Sequence, residues 1–232
     1  MSSDKAVRIR RQFTDALAAQ ADPVRAEGQQ RYMKSALPFY GLTTPEVRAA
    51  VRAVLATDPV PDRTTWLAIV RTLWDGATHR EERYAALGVL RFRAHRRWLV
   101  ADDALLHLLR HLITSGAWWD LVDETSHVVG ELLRIDPATM TALLRAWSRE
   151  PDVWLRRVSI IAQLGFRQAT DVELLTYAID GSLDDPDFFA RKAIGWALRE
   201  YAKTDPDWVR AFVRTNQGRL SSLSRREALK HL

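Results

Sequence analysis

Apolar residues recur along most of the chain at the spacing of amphipathic α-helices. In one segment, Leu105, Leu108 and Leu112 occupy positions i, i+3 and i+7, which places them on a single helix face. No segment alternates apolar and polar residues in the way that a half-buried strand does. The pattern therefore predicts an all-α protein.

Capping residues beside a proline or an acidic residue mark the helix starts. These signals lie at Thr44-Pro45-Glu46, Asp58-Pro59, Asp102-Asp103, Asp136-Pro137, Glu150-Pro151-Asp152, Asp185-Pro186-Asp187 and Asp205-Pro206-Asp207. Starts recur roughly every 14 to 20 residues, so two helices take up roughly 35 to 40 residues, the length of a HEAT or armadillo-type unit. Stacked helical pairs bury their apolar faces and form curved arrays. We therefore predict a curved α-solenoid of HEAT-like helical repeats with a concave binding face.

Two stretches interrupt this rhythm of helices. The stretch from Leu37 to Gly41 is an aromatic turn, and the stretch from Gly165 to Thr170 is a short polar connection. Neither is long enough to be a linker between domains. We therefore expect residues 1–232 to form a single domain.

The composition permits a polyanionic partner. The chain has 232 residues, of which 47% are hydrophobic, and this hydrophobic fraction excludes intrinsic disorder. Its 34 Lys and Arg exceed its 29 Asp and Glu by five, which leaves a modest positive charge. Lys occurs only at Lys5, Lys34, Lys192, Lys203 and Lys230, so the remaining cations are Arg. Arginine suits bidentate phosphate contacts, although a GC-rich coding sequence would produce the same excess.

Several kinds of chemistry are excluded or lack their usual signals. The chain has no Cys, which excludes disulfides, thiolate metal sites and a cysteine nucleophile. His107 and His111 are four residues apart but lack an evident third ligand, so we predict no metal site and no cofactor. No apolar run approaches the roughly 18 residues of a membrane span, and the polar stretch 1–11 does not resemble a signal peptide. These features predict a soluble cytoplasmic protein.

Nine Trp residues are the unusual part of the composition. Trp119 and Asp123 are four residues apart in a predicted helix, so they share a face, whereas Trp118 points toward a packed side. Tryptophans beside charged residues at helical spacing can serve surface chemistry rather than fill a core. The alternative is a buried Trp next to a solvated Asp, and the spacing by itself leaves both open.

Cations accompany aromatic residues in two later helices. Arg156 and Arg157 are adjacent, so only one of them can face a given surface, and a hydrated helix surface is the alternative reading. Lys192, Trp196 and Arg199 form one stripe, as expected of a platform that holds phosphates and a sugar or base. Gly195 lies inside the same helix, where glycine costs roughly 1 kcal/mol relative to alanine, which indicates that a neighbouring group approaches closely there.

Three segments in order resemble the AlkD family of bacterial DNA glycosylases. They are RYMK at 31–34 with GLTTPE at 41–46, then WWDLVD at 118–123, then RKAIGWALREYAK at 191–203. LSRREALKH at 223–231 resembles the closing helix of that family. The resemblance covers nearly the whole chain, and it implies a HEAT-like repeat enzyme that hydrolyses the N-glycosidic bond of purines alkylated at N3 or N7.

The resemblance also assigns residues to this activity. It implies that Asp123 is the catalytic carboxylate, that Trp119 and Trp196 are aromatic walls, that Arg157 is a supporting cation and that Tyr32 lies in the cleft. Further candidates for phosphate contacts are Arg48, Lys192, Arg199 and Lys203, together with Arg157. The lesion is expected to stay stacked in duplex DNA. The expected enzyme is a monofunctional glycosylase that acts as a monomer and leaves an abasic site without nicking the strand.

Two other readings of the same residues remain open. A non-catalytic helical-repeat scaffold would use the concave face to bind DNA structures or a protein, since a fold does not determine an activity. Within the enzyme class, the substrate is either a small methylpurine or a bulky alkyladenine, such as the adduct of a self-produced DNA-alkylating natural product.

Overall fold

The computed structural model describes residues 2–232, with side chains from residue 4 onward, and every regular element in that range is helical. This confirms the all-α prediction. The chain divides into two compact units, of which the first ends at Leu99 and the second begins at Val100. The first unit contains five α-helices and a 3-10 helix: α1 Ser2–Ala18, α2 Pro23–Met33, α3 Thr44–Thr57, α4 Arg63–Asp75, α5 Arg80–Leu90 and the 3-10 helix Arg93–Trp98.

The second unit contains the candidate site residues from position 119 onward. Its elements are α6 Asp103–Gly116, α7 Trp119–Ile135, α8 Pro137–Trp147, α9 Val153–Ile161, the 3-10 helix Arg167–Ala169, α10 Val172–Asp180, α11 Phe188–Tyr201, α12 Pro206–Thr215 and α13 Ser222–Ala228. Four helices pack side by side in chain order, because α7 contacts α9, α9 contacts α11 and α11 contacts α13. This row brings side chains together that are far apart in the sequence.

The predicted apolar faces form the core of this unit. Leu105, Leu108 and Leu112 are almost completely buried, as the helix spacing predicts. A second cluster of buried side chains joins α9, α10 and α11 to α12 and α13. Burying an aliphatic side chain contributes about 1.5–3 kcal/mol relative to leaving it exposed, so these faces fix how the helices of the row pack.

Most of the predicted helix starts are confirmed by capping hydrogen bonds. The carboxylates of Asp102, Asp136, Asp152, Asp187 and Asp205 each accept from backbone N–H groups in the first turn of the helix that follows. Such caps satisfy donors that have no partner within the helix.

The start predicted at Asp58 is wrong. Asp58 lies at the end of α3, and α4 begins four residues later than predicted, after its cap Asp62. The Asp58 carboxylate is instead paired with Lys5 Nζ at 2.8 Å and with Arg8 Nη2 at 3.0 Å. A second difference is small, because Thr43 rather than Thr44 caps α3 and forms a capping box with Glu46.

The aromatic turn after α2 is fixed by buried glutamates of α5. The Glu81 carboxylate accepts from the backbone N–H groups of Tyr40, Gly41 and Leu42 at 2.8–3.0 Å. Glu82 accepts from the Tyr40 hydroxyl at 2.9 Å. Burial, together with this hydrogen bond to Glu82, raises the pKa of Tyr40 to about 12. The turn is therefore a fixed part of the first unit rather than a loose connection.

The close approach predicted at Gly195 is present. A Cβ atom at this position would lie 2.5 Å from the Cβ of Glu227 and 3.1 Å from the carbonyl oxygen of Ser224, both on α13. Real Cβ atoms do not approach other carbons so closely, and neither contact is made by the flexible end of a side chain. Gly195 therefore allows α13 to lie directly on α11.

We expect Gly195→Ala to destabilise the protein by about 1–2 kcal/mol, because the overpacking of α13 outweighs the better helix propensity of alanine. Urea unfolding at neutral pH measures this change. Gly28→Ala in α2 is the matched control, since no atom lies within 4 Å of the added carbon, and it should stabilise by up to about 1 kcal/mol. Equal effects of the two substitutions would show that α13 does not pack on Gly195.

Candidate functional site

Two adjacent tryptophans stand at the beginning of α7, and both are partly exposed. Trp118 is the residue before the helix, and its ring lies 5.3 Å from the ring of Phe189 and 6.3 Å from that of Trp154. Trp119 begins the helix and is partly exposed, one turn before Asp123. Trp118 therefore packs against other aromatic rings, and Trp119 and Asp123 share a face of α7. A surface role for Trp119 stays a prediction.

A bidentate ion pair joins Asp123 on α7 to Arg157 on α9. Arg157 Nε donates to Asp123 Oδ1 at 2.7 Å, and Arg157 Nη2 donates to Asp123 Oδ2 at 2.8 Å. The third nitrogen, Nη1, donates to the carbonyl oxygen of Phe189 on α11 at 2.9 Å. Only 6% of the Arg157 side chain and 16% of the Asp123 side chain are exposed. The carboxylate is therefore held in one orientation at a largely buried position.

Burial and the ion pair act on the Asp123 carboxyl in opposite directions. Burial raises the pKa of Asp123 above its ordinary value, while the hydrogen bonds and the positive charge of Arg157 lower it. The remaining contributions are smaller and come from Asp120, which raises the pKa, and from His127, which lowers it. A carboxylate in this environment interacts more strongly with a nearby positive charge than one in water does.

Trp196 of α11 lies next to the same arginine. The guanidinium carbon of Arg157 is 6.0 Å from the centre of the Trp196 ring, at the outer limit of a cation–π contact. The Trp196 ring is partly buried and packs on the core shared by α9 to α13. Arg157 thus has two contacts with α11, the carbonyl of Phe189 and the ring of Trp196, in addition to its pair with Asp123.

The two cations beside Trp196 are paired within the protein. Lys192 Nζ lies 3.2 Å from Glu227 Oε1 on α13, and Arg199 Nη1 donates to Glu227 Oε2. The stripe predicted from the sequence is present on α11, but its cations bind a carboxylate of the same chain. A contact of Lys192 or Arg199 with DNA phosphate stays a prediction.

The remaining candidates lie at the surface. Lys203 is exposed and forms an ion pair with Glu200, three residues earlier in the chain. Arg48 is exposed on α3, and Tyr32, on α2, is 75% exposed. Tyr32 and Arg48 belong to the first unit, whereas the Asp123 and Arg157 pair belongs to the second. Their roles in binding DNA stay predictions.

The structure distinguishes the two adjacent arginines, which the helix spacing alone leaves open and of which the resemblance selects Arg157. Arg156 Nη2 binds Asp185 at 2.6 Å, and its Nη1 donates to the carbonyl oxygens of Glu150 and Pro151. Arg157 alone of the two reaches Asp123. Two further members of this arrangement, Glu227 and the Phe189 carbonyl, are missed by sequence reasoning, although Gly195 correctly signals that another element lies close to α11.

The fold and the site define a class of protein: it is helical in all regular elements of residues 2–232, with a largely buried carboxylate bound by an arginine, a tryptophan one turn before the carboxylate and a second tryptophan beside the arginine. The chain belongs to the family of DNA alkylation repair enzymes, whose family model matches residues 13–232. Among solved structures it is similar to a protein described as a predicted DNA alkylation repair enzyme from Enterococcus faecalis. The two chains are 27% identical, with a TM-score of 0.82 over 92% of this chain and 97% of the other. No curated protein sequence matches the chain significantly.

These findings confirm the resemblance read from the sequence at the level of a DNA alkylation repair family. They support a role in DNA repair, with DNA as the substrate. Within residues 2–232, no helix combines the length and the apolar character that crossing a membrane requires.

We expect Arg157→Met to destabilise the protein by about 3 kcal/mol, because it leaves the buried Asp123 carboxyl without its partner. The double variant Asp123→Leu/Arg157→Met should lose less than the sum of the two single substitutions, since it removes both charges. Urea unfolding at pH 7 measures the coupling. Arg210→Met, which breaks an exposed pair with Asp207, is the control and should change stability by about 0.5 kcal/mol or less. Additive effects at positions 123 and 157 would contradict the structure.

Proposed function

We propose that this protein is a monofunctional DNA glycosylase that hydrolyses the N-glycosidic bond of N3- or N7-alkylated purines in duplex DNA. The observation that carries the proposal is the buried Asp123 carboxylate, which Arg157 holds by two hydrogen bonds of 2.7 and 2.8 Å. The membership in a DNA alkylation repair family supplies the substrate class. The proposed catalytic group comprises Asp123, Trp119 and Trp196.

The chemistry of the lesion explains why one carboxylate suffices. A purine alkylated at N3 or N7 is positively charged, so it leaves without a strong general acid. The barrier then lies in the positive charge that develops on the sugar as the glycosidic bond breaks. A fixed carboxylate beside the sugar stabilises that charge, and the faces of Trp119 and Trp196 attract the same cationic groups.

The ion pair leaves the carboxylate able to act. An ionised carboxyl group has about four sites that accept hydrogen bonds, and Arg157 occupies one on each oxygen. We propose that the remaining sites orient the attacking water and face the sugar. Arg157 also favours the ionised form, which opposes the effect of burial on the pKa of Asp123. We propose that Arg157 supports catalysis in this way.

We propose that residues outside the catalytic group bind the sugar-phosphate backbone of the DNA. The resemblance places Tyr32 in the cleft, and Arg48 and Lys203 are among the candidates for phosphate contacts that the sequence offers; all three are exposed. Contacts with phosphates and sugars position a duplex without reading its sequence. Selectivity would then come from the charge and lability of the lesion, so the base need not leave the stack. A concave face formed by HEAT-like repeats remains the expectation from the sequence.

We expect Asp123→Asn to lower the release of alkylated bases by about 100-fold or more, because it removes the charge opposite the developing cation while keeping the shape of the side chain. The assay measures N3-methyladenine and N7-methylguanine released from methylated duplex DNA, after subtraction of spontaneous loss. Asp207→Asn is the matched control, since it makes the same change at an exposed helix start, and its release should equal that of the wild type.

Other outcomes of this assay decide against parts of the proposal. Equal release by wild type and Asp123→Asn would remove Asp123 from the catalytic role. Wild-type protein that binds DNA in a salt-dependent manner but releases no base would be a scaffold instead. The DNA should break only after alkaline cleavage of the abasic site, and direct nicking would contradict a monofunctional glycosylase.

Trp119→Leu, which leaves the ion pair between Asp123 and Arg157 intact, should lower the release of alkylated bases in the same assay by about 10-fold.

The rate of base release should fall toward acidic pH as Asp123 becomes protonated. Because burial raises the pKa of Asp123, the fall should begin at a higher pH than for an ordinary aspartate. Arg157 lowers this pKa, so Arg157→Met should move the fall to still higher pH. Single-turnover rates across pH 4–8 on permanently charged lesions test this, and an acidic limb at the same pH in both proteins would contradict it.

A further inference from the structure

Helix α11 is held between two neighbours of the row. On one side it meets α9, where Arg157 binds the Phe189 carbonyl at 2.9 Å and lies 6.0 Å from the Trp196 ring. On the other side it meets α13. Any shift of α11 along or around its axis would therefore move both groups that contact Arg157, and through Arg157 it would move Asp123.

Glu227 of α13 is the charged group that fastens α11 on this second side. Its two carboxylate oxygens bind different residues of α11: Oε1 lies 3.2 Å from Lys192 Nζ, and Oε2 accepts from Arg199 Nη1. Lys192 precedes Trp196 by one helical turn and Arg199 follows it by almost one turn. The carboxylate thus spans the turn of α11 that carries Trp196.

Uncharged contacts place Glu227 at this position. The side chain of Glu227 is 16% exposed, and its Cβ would lie 2.5 Å from a Cβ at Gly195. The hydroxyl of Ser224 donates to the carbonyl oxygen of Arg191 at 2.9 Å, and Ala228 is buried. Burial acts to raise the pKa of Glu227, but Lys192 and Arg199 outweigh it and lower that pKa.

We propose that Glu227 is a positioning residue for Trp196, and that Lys192 and Arg199 serve to anchor α13 rather than to bind DNA phosphate. This inference rests on the proposed function, because it assigns Trp196 to the catalytic group. Loss of the Glu227 charge loosens the turn that carries Trp196 and the contacts of α11 with Arg157. The cost falls on the chemical step, since a small displacement of catalytic groups slows a reaction strongly.

The competing view is that Glu227 masks a phosphate clamp and gives way when DNA binds. That exchange would leave a carboxylate beside DNA phosphates, after breaking two ion pairs that are mostly shielded from water. The Cβ of Glu227 lies against Gly195, so the stem of this side chain stays beside α11 even if its carboxylate turns away. The two views make opposite predictions for DNA affinity.

The test compares wild type with Glu227→Gln, which keeps the size of the side chain and removes its charge. With enzyme in saturating excess over methylated duplex DNA, the single-turnover rate should fall by about 10-fold, while the dissociation constant for DNA should stay unchanged. Hydrogen exchange of the free protein provides a readout that needs no activity, and amides 189–196 should exchange faster in the variant. Glu173→Gln, which removes an exposed partner of Arg145, is the matched control and should leave the rate, the dissociation constant and the exchange of amides 189–196 unchanged.

Two other results overturn the inference, and a third overturns the proposed function on which it rests. Tighter DNA binding at an unchanged rate would show that Glu227 masks a phosphate clamp. Unchanged rate, affinity and exchange would show that the charge of Glu227 has no positioning role. Wild-type protein without base release would refute the proposed function itself, and hydrogen exchange would then still report whether Glu227 fastens α11. Because the enzyme is in excess, a fraction of unfolded variant does not alter the measured rate constant.

Discussion

The arrangement of the second unit depends on the ion pair between Asp123 and Arg157. A carboxylate that is 84% shielded from water is costly unless its charge is compensated, and Arg157 compensates it by two parallel hydrogen bonds. Arg157 can do so only because α7, α9 and α11 lie in one row, which also supplies the Phe189 carbonyl for its last donor. The packing of these three helices therefore fixes the orientation of the two carboxylate oxygens of Asp123.

A pattern of charge compensation extends from this pair through α11 to α13. Arg157 compensates the charge of Asp123 on one side of α11, and Glu227 pairs with both Lys192 and Arg199 on the other, which offsets one of their two positive charges. Between them lies Trp196, whose ring faces Arg157. Lys192 and Arg199 are consequently less available to an outside partner than the sequence suggests, because both pair with Glu227 of the same chain.

The resemblance to a DNA alkylation repair family rests on the same residues that the geometry brings together. The WWDLVD segment supplies Trp119 and Asp123, and the segment at 191–203 supplies Trp196. The family model covers residues 13–232, which include both segments. Family membership establishes the class of repair enzyme, whereas the reaction proposed for this chain depends on the environment of its own carboxylate.

Local patterns in the sequence determined the helices, most of their caps and the faces on which residues lie, because these depend on neighbours within about one helical turn. Thus Trp119 and Asp123 share a face as expected, and Gly195 correctly signalled a close neighbour. Partner choice between helices was decided only by the tertiary structure. Asp58 resembles a cap yet pairs with Lys5 and Arg8, and Arg157 rather than Arg156 reaches Asp123. An ion pair forms where packing brings two charges together, and local spacing does not contain that information.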